Sequence, residues 1–262
     1  MRFLLFLLML TNPLHADGIE VDVELFLAVD VSRSMQPYEL EIQRQGYAKA
    51  LTSPEVQAAI GGGMLGRIAL TYVEWAGAGN QRVIVPWTLI ESADDAAKVA
   101  DHITAFFDTG LRRTSISSAL IYAATSIETN AYMGLRRVID VSGDGPNNMG
   151  PPVEAARDDV LARGITINGI PLMTQDDGIF SHWNIPDLDV YYTRCVIGGP
   201  GAFVLPVTEW SAFASSVRRK LVLEIAGLEP RIVPAQAHVQ QPYNCLIGEE
   251  IWERNRGVFM QP

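Results

Sequence analysis

The sequence predicts an α/β fold: a doubly wound, mostly parallel sheet of six strands, with one antiparallel edge strand and helices on both faces. Three observations lead there. Apolar runs alternate with amphipathic stretches almost from end to end, the pattern of a parallel sheet covered on both sides. The second and third apolar runs are separated only by AGAGN, too short for a crossover and suited to a hairpin. Of 262 residues, 48% are hydrophobic and 19% charged, so a packed core is expected rather than extensive disorder.

The elements follow in order. VELFLAVD (23–30) reads as the first strand and PYELEIQRQGYAKAL (37–51) as a helix entered through proline. RIALTYVEW (67–75) and RVIVPWTLI (82–90) form the hairpin. SADDAAKVADHITAFF (92–107) is the next helix, with Ser92 ahead of Asp94 and Asp95 as a start signal. SISSALIYAATSIE (115–128) is helical and RRVIDVSG (136–143) is the fourth strand. PVEAARDDVLARG (152–164) starts at Pro151 and Pro152 and stops at Gly164. ITINGIPLM (165–173) and AFVLPVT (202–208) supply strands five and six, on either side of a long irregular connection. TEWSAFASSVRRKLVLEIA (208–226) is the last helix of the domain.

Segments outside this pattern set the domain plan. Arg2, the apolar stretch FLLFLLML and the polar TNPLHA read as a signal peptide over 1–16, too short to span a bilayer. The domain then covers 17–226. Residues 227–262, with Pro230, Pro234 and Pro242, read as a C-terminal extension. Export favours a bridge between Cys195 and Cys245, which would tie the extension back; two unpaired buried thiols are the alternative. The net charge of −10 argues against nucleic acid or anionic lipid as partners.

In an open parallel sheet, ligands gather beyond the carboxyl ends of the strands. Three loops with oxygen-bearing side chains fall there. Asp30-Val31-Ser32-Arg33-Ser34 follows the first strand, Thr114 lies in GLRRTSISSAL, and Asp144 ends the fourth strand in VIDVSGDGPNN. Two carboxylates and three hydroxyls, all hard donors, suit a magnesium-like ion. A helix cap at Asp30, Ser32 and Ser34 and a plain turn at Asp144 are the structural alternatives. Asp140 reads as a structural hydrogen-bonding acid, and Glu74 as solvated or supporting the site.

The three loops together resemble the metal-ion-dependent adhesion site of the von Willebrand factor type A (VWA) domain. That pattern is D-x-S-x-S, a later threonine, and an aspartate followed by glycine, here Asp144-Gly145. RRVIDVSGDG and CVIGGPGAF are closer to exported bacterial members. The resemblance implies a Rossmann-like fold over about residues 20–226. It also implies Ser32, Ser34 and Thr114 as direct ligands of Mg2+ (or Mn2+ or Ca2+), with Asp30 and Asp144 acting directly or through water. An Asp or Glu of a partner protein would complete the shell. Arg33 stands where the family often has glycine, placing a cation beside the site, and the threonine loop reads LRRTS rather than glycine-rich.

A metal-dependent protein-binding module, periplasmic or extracellular, is therefore the leading expectation. A scaffold whose site no longer binds metal is one alternative. A magnesium-dependent phosphotransferase or hydrolase is another, but it lacks a suitable lysine and a G-x-S-x-G elbow.

Overall fold

The computed structural model describes residues 18–105, 111–174, 184–228 and 242–256. The segment expected to be a signal peptide and much of the C-terminal extension lie outside the described residues. Strand β1 (Ile19–Asp30) leads into helices α1 (Pro37–Leu51) and α2 (Pro54–Gly61), then strands β2 (Ile68–Trp75) and β3 (Gln81–Ile90). Helices α3 (Ala93–Thr104) and α4 (Ile116–Thr129) precede β4 (Tyr132–Gly143), α5 (Val153–Ala162) and β5 (Thr166–Pro171). A short helix α6 (Leu188–Tyr191) runs into a π-helical turn over Tyr192–Val196, followed by α7 (Phe213–Ala226) and α8 (Ile247–Asn255).

The sheet order is β3-β2-β1-β4-β5, parallel except for the antiparallel β2–β3 hairpin. β1 occupies the centre and is buried on both faces. Its alternate residues divide the core: Val23, Leu25, Leu27 and Val29 face one layer with Tyr47, Val99 and Phe213. Phe26 and Ala28 face the other, with Leu120, Val160 and Tyr192. Pro86 is tolerated because β3 is an edge strand, and the register beside it shifts between Leu70 and Val73.

The sheet has five strands, not the six expected. The AFVLPVT segment does run along β5, where the Gly169 N–H donates to Phe203 O and the Leu205 N–H to Gly169 O. The Val207 N–H then donates to Pro171 O, and Met173 returns a bond to Val207 O. Pro171 has no N–H for the carbonyl of Leu205, so the ladder breaks into isolated bridges.

One buried ionic group sits between β4 and α7. Lys220, fully buried, lies 2.6 Å from Asp140 and also bonds Glu224, which accepts from Asn168. Asp140 is thus half of an ion pair. Glu74 is not solvated: it is buried between Arg44 of α1, at 2.6 Å, and Arg82 of β3.

Candidate metal centre

β1 runs toward the candidate centre from one side of its fork and β4 from the other. The chain leaves β1 for α1 and β2 on one side and reaches β4 through α4 on the other, so the fork is the sheet's topological switch point. Asp30 is the last residue of β1 and is fully buried. Its Oδ1 accepts the Ser32 N–H at 2.7 Å, curling the loop, and its carbonyl accepts from Gln43 of α1 at 3.1 Å. The Ser32 and Ser34 hydroxyls lie 3.0 Å apart, and Ser34 donates to Asp144 Oδ1 at 2.9 Å. Asp30, Ser32, Ser34 and Asp144, drawn from two loops, are therefore held in one chain of contacts.

Thr114 reaches the same end of the sheet through its backbone. Its N–H donates to the Asn148 side chain at 3.1 Å, and the Asn148 N–H donates to Thr114 O at 2.9 Å. Leu111 donates to Val31 O, and Ser115 to Ala76 O. The threonine loop is thus stitched to the Asp30 loop, the Asp144 loop and the hairpin. Arg113 takes a left-handed φ of 76°, where a glycine-rich loop would go without strain, and its guanidinium stacks over Trp252 of α8. Arg33 is exposed.

The electrostatics are those of desolvated acids. Burial pushes the Asp30 carboxyl well above its ordinary range, and the charge of Asp144 pushes it further. Burial also lifts Asp144 to about 6, opposed by the Ser34 hydrogen bond and assisted by the charge of Glu39. Asp30 Oδ2 is buried with no hydrogen-bond partner among the described residues. A buried acceptor left unsatisfied is costly, and a hard cation is the partner such an oxygen suits. Two carboxylates beside neutral hydroxyls match that ion's preference for oxygen. Among the described residues no three His, Cys, Asp or Glu side chains gather as a conventional cluster, so the hydroxyls are needed to complete a shell.

Several residues around the centre were not singled out in the sequence. Gln43 anchors Asp30 from a helix, where nothing local marks it. Asn147 is fully buried; it accepts from the Ser117 N–H at 3.1 Å and donates to Glu249 of α8 at 2.7 Å. The adjacent asparagines in SGDGPNN were the available signal. The Tyr192 hydroxyl, like Asp30 Oδ2, would lie 2.9 Å from a Cβ on Gly143, and it has no hydrogen-bond partner among the described residues. Cys195, in the same π-helical turn, is bonded to Cys245, which anchors the segment carrying α8.

This sheet order, mostly parallel with one antiparallel edge strand and helices on both faces, defines a VWA-like fold. Proximal thread matrix protein 1 from the mussel byssus superposes with a TM-score of 0.58 at 14% identity, covering 80% of this chain and 49% of that one. A second structure of that protein is described as having a zinc-occupied MIDAS motif (TM-score 0.54, 14% identity, 80% and 49% covered). The pilus adhesin SpaC of Lactobacillus rhamnosus GG gives 0.58 at 12%, with 79% and 31% covered. The von Willebrand factor type A structure from Catenulispora acidiphila gives 0.56 at 13%, with 79% and 43% covered. The chain spans about half the length of these structures or less. No curated protein matches it. The family model DUF1194, described as a protein of unknown function, matches residues 20–229, and the chain belongs to that family.

Proposed function

We propose that this chain is an exported protein-binding module rather than an enzyme, and that it engages an acidic group of its partner through a divalent cation. Asp30, Ser32, Ser34, Thr114 and Asp144 would hold the ion, Mg2+ or the similar Mn2+ or Ca2+. The observation that carries this reading is the buried, unpartnered Asp30 Oδ2, beside the hydroxyl chain that ends on Asp144. When bound, the ion supplies an electrophilic position for a carboxylate; neutral hydroxyls among its ligands leave that electrophilicity undiminished. The protein's part is to fix the oxygens. Ser32's N–H orients Asp30, Ser34 orients Asp144, and the Asn148 pairing sets the threonine loop.

Several features support this choice over phosphoryl transfer. The chain has three lysines: the buried one, Lys220, bonds Asp140 and Glu224, Lys49 stands in the last turn of α1, and Lys98 on α3 pairs with Asp95. The disulfide suits an oxidising compartment, and no described helix is long and apolar enough to cross a membrane. The test is calorimetric titration of Mn2+ and Mg2+ into the mature chain and into Asp30→Ala. One saturable site is expected in the parent and none in the variant. Equal, negligible heats in both would sink the metal reading.

A further inference from the structure

The Asp30 loop and the threonine loop touch at one backbone bridge, Ser32 to Leu111, closed by the Leu111 N–H donating to Val31 O at 2.9 Å. One residue beyond that bridge on each strand stands an arginine, Arg33 and Arg112. Both are exposed, and among the described residues neither enters an ion pair. Like charges on adjacent chains repel, and the loops carrying these two have little room to separate. Ser115 is tied to Ala76 at 2.8 Å, Thr114 is tied to Asn148, and a Cβ on Gly77 would lie 2.8 Å from Arg112 O. Arg113 is occupied by Trp252, so Arg33 and Arg112 are the pair left facing outward. This happens in a molecule of net charge −10, and among the described residues no acid pairs with either of them.

We infer that Arg33 and Arg112 form a subsite for additional carboxylates next to the candidate metal position. The partner then presents an acidic polypeptide segment, several Asp or Glu side chains in sequence, rather than a lone carboxylate. One carboxylate would reach the ion and its neighbours would meet the arginines; the inference rests in this respect on the metal reading above. An extended polyanion such as an anionic bilayer or nucleic acid fits less well, because the surrounding molecule is strongly acidic and a short segment need meet only the local positive patch. Arg33 thereby changes from an intruder in a cation site to part of its specificity.

The test uses the mature chain with Mn2+ and two labelled peptides read by fluorescence anisotropy. One peptide carries a single glutamate in a glycine–serine background, and the other carries glutamates at alternate positions. The glutamate-rich peptide is expected to bind about tenfold more tightly, a gap of the size two exposed ion pairs provide, shrinking as salt is raised. The double variant Arg33→Gln/Arg112→Gln should close the gap and leave the Mn2+ titration unweakened. Equal binding of both peptides by the parent, or a gap that survives in the variant, overturns the inference. Capture by phosphatidylglycerol vesicles through the same two arginines, in place of peptide binding, overturns the choice of an acidic polypeptide. An intact peptide preference without any Mn2+ uptake overturns the metal reading alone and supports the arginine subsite.

Discussion

A Cβ placed on Gly143 would sit 2.9 Å from both Asp30 Oδ2 and the Tyr192 hydroxyl, and 3.3 Å from the Trp75 ring. No real side chain tolerates such approaches to two polar atoms at once, so this glycine gives Asp30 its inner space. Gly143→Ala is expected to overpack the fork and lower stability by about 1–3 kcal/mol. It should weaken Mn2+ uptake as well, because the displaced atom is the oxygen proposed as a ligand. Urea unfolding and a Mn2+ titration of the variant check both, and no change in either would remove Gly143 from the site. Other single residues act at one remove. Gln43 holds the Asp30 carbonyl, and Glu74, opposite Val29 in the β1–β2 register, is fixed by two arginines. Glu74 is thus satisfied, while the inner oxygen of Asp30 and the Tyr192 hydroxyl are buried without a hydrogen-bond partner among the described residues.

Between elements, one buried polar contact joins α7 to β4 and β5. Lys220 of α7 meets Asp140 of β4, and Glu224 one turn later meets Asn168 of β5. Two acids share one ammonium in a place without water access, so one of the acids favours its proton. Burial, with the charge of Asp140 added, raises Glu224 to about 7, and Lys220 and Asn168 oppose the shift. An acid whose folded pKa lies above its unfolded value binds more protons when folded. Its stabilising contribution is complete below about pH 4.5 and is lost as pH rises through about 7. The parent should therefore lose stability across that window, by at most about 3 kcal/mol from this group. Glu224→Gln should reduce the slope, leaving a residue of the same sign from Asp140, Asp30 and Asp144, which burial also raises. Urea midpoints of both proteins from about pH 5 to about pH 8 decide it; parallel curves would mean that Glu224 is already ionised throughout the window.

The same elements show what a sequence displays and what it conceals. β1, the hairpin and the order of the three candidate loops were legible because each is a local pattern: an apolar run, a short polar turn, oxygen residues at a strand end. The sixth strand was not, because its failure lies in its neighbour, where Pro171 cannot donate. α2 was missed, although Ser53 caps it and Pro54 opens it, because its eight residues show little periodicity. α8 was hidden in a proline-bearing tail, and its docking against Asn147 appears only in three dimensions: a Cβ on Gly248 would lie 2.0 Å from Asn147 O. Glu74 looked solvated because its partners come from 30 residues upstream and 8 downstream, on other elements. Asp30, Ser32, Ser34 and Asp144 were readable as candidates, and their mutual distances were not.

At the scale of the whole molecule, the candidate centre is a place where the fold carries a cost until something binds. Asp30 is a fully buried carboxylate whose nearest charged neighbour of note is another acid, so at neutral pH its ionised form weakens the metal-free protein. Replacing it by asparagine keeps the shape and removes that charge. The metal-free Asp30→Asn variant is thus expected to be at least as stable as the parent. With divalent cation present the order should reverse, because a ligand that binds only the folded state stabilises it by about 2.7 kcal/mol at a hundred times its dissociation constant. The parent gains that increment and the variant does not. Thermal unfolding of both proteins, in EDTA and across a Mn2+ series, reads the crossing directly. A mere helix cap or turn at Asp30 predicts the opposite pattern, a variant less stable than the parent in EDTA and the same offset at every Mn2+ concentration. A crossing separates a ligand from a cap without knowledge of the partner, because it asks only which state of Asp30 the fold as a whole prefers.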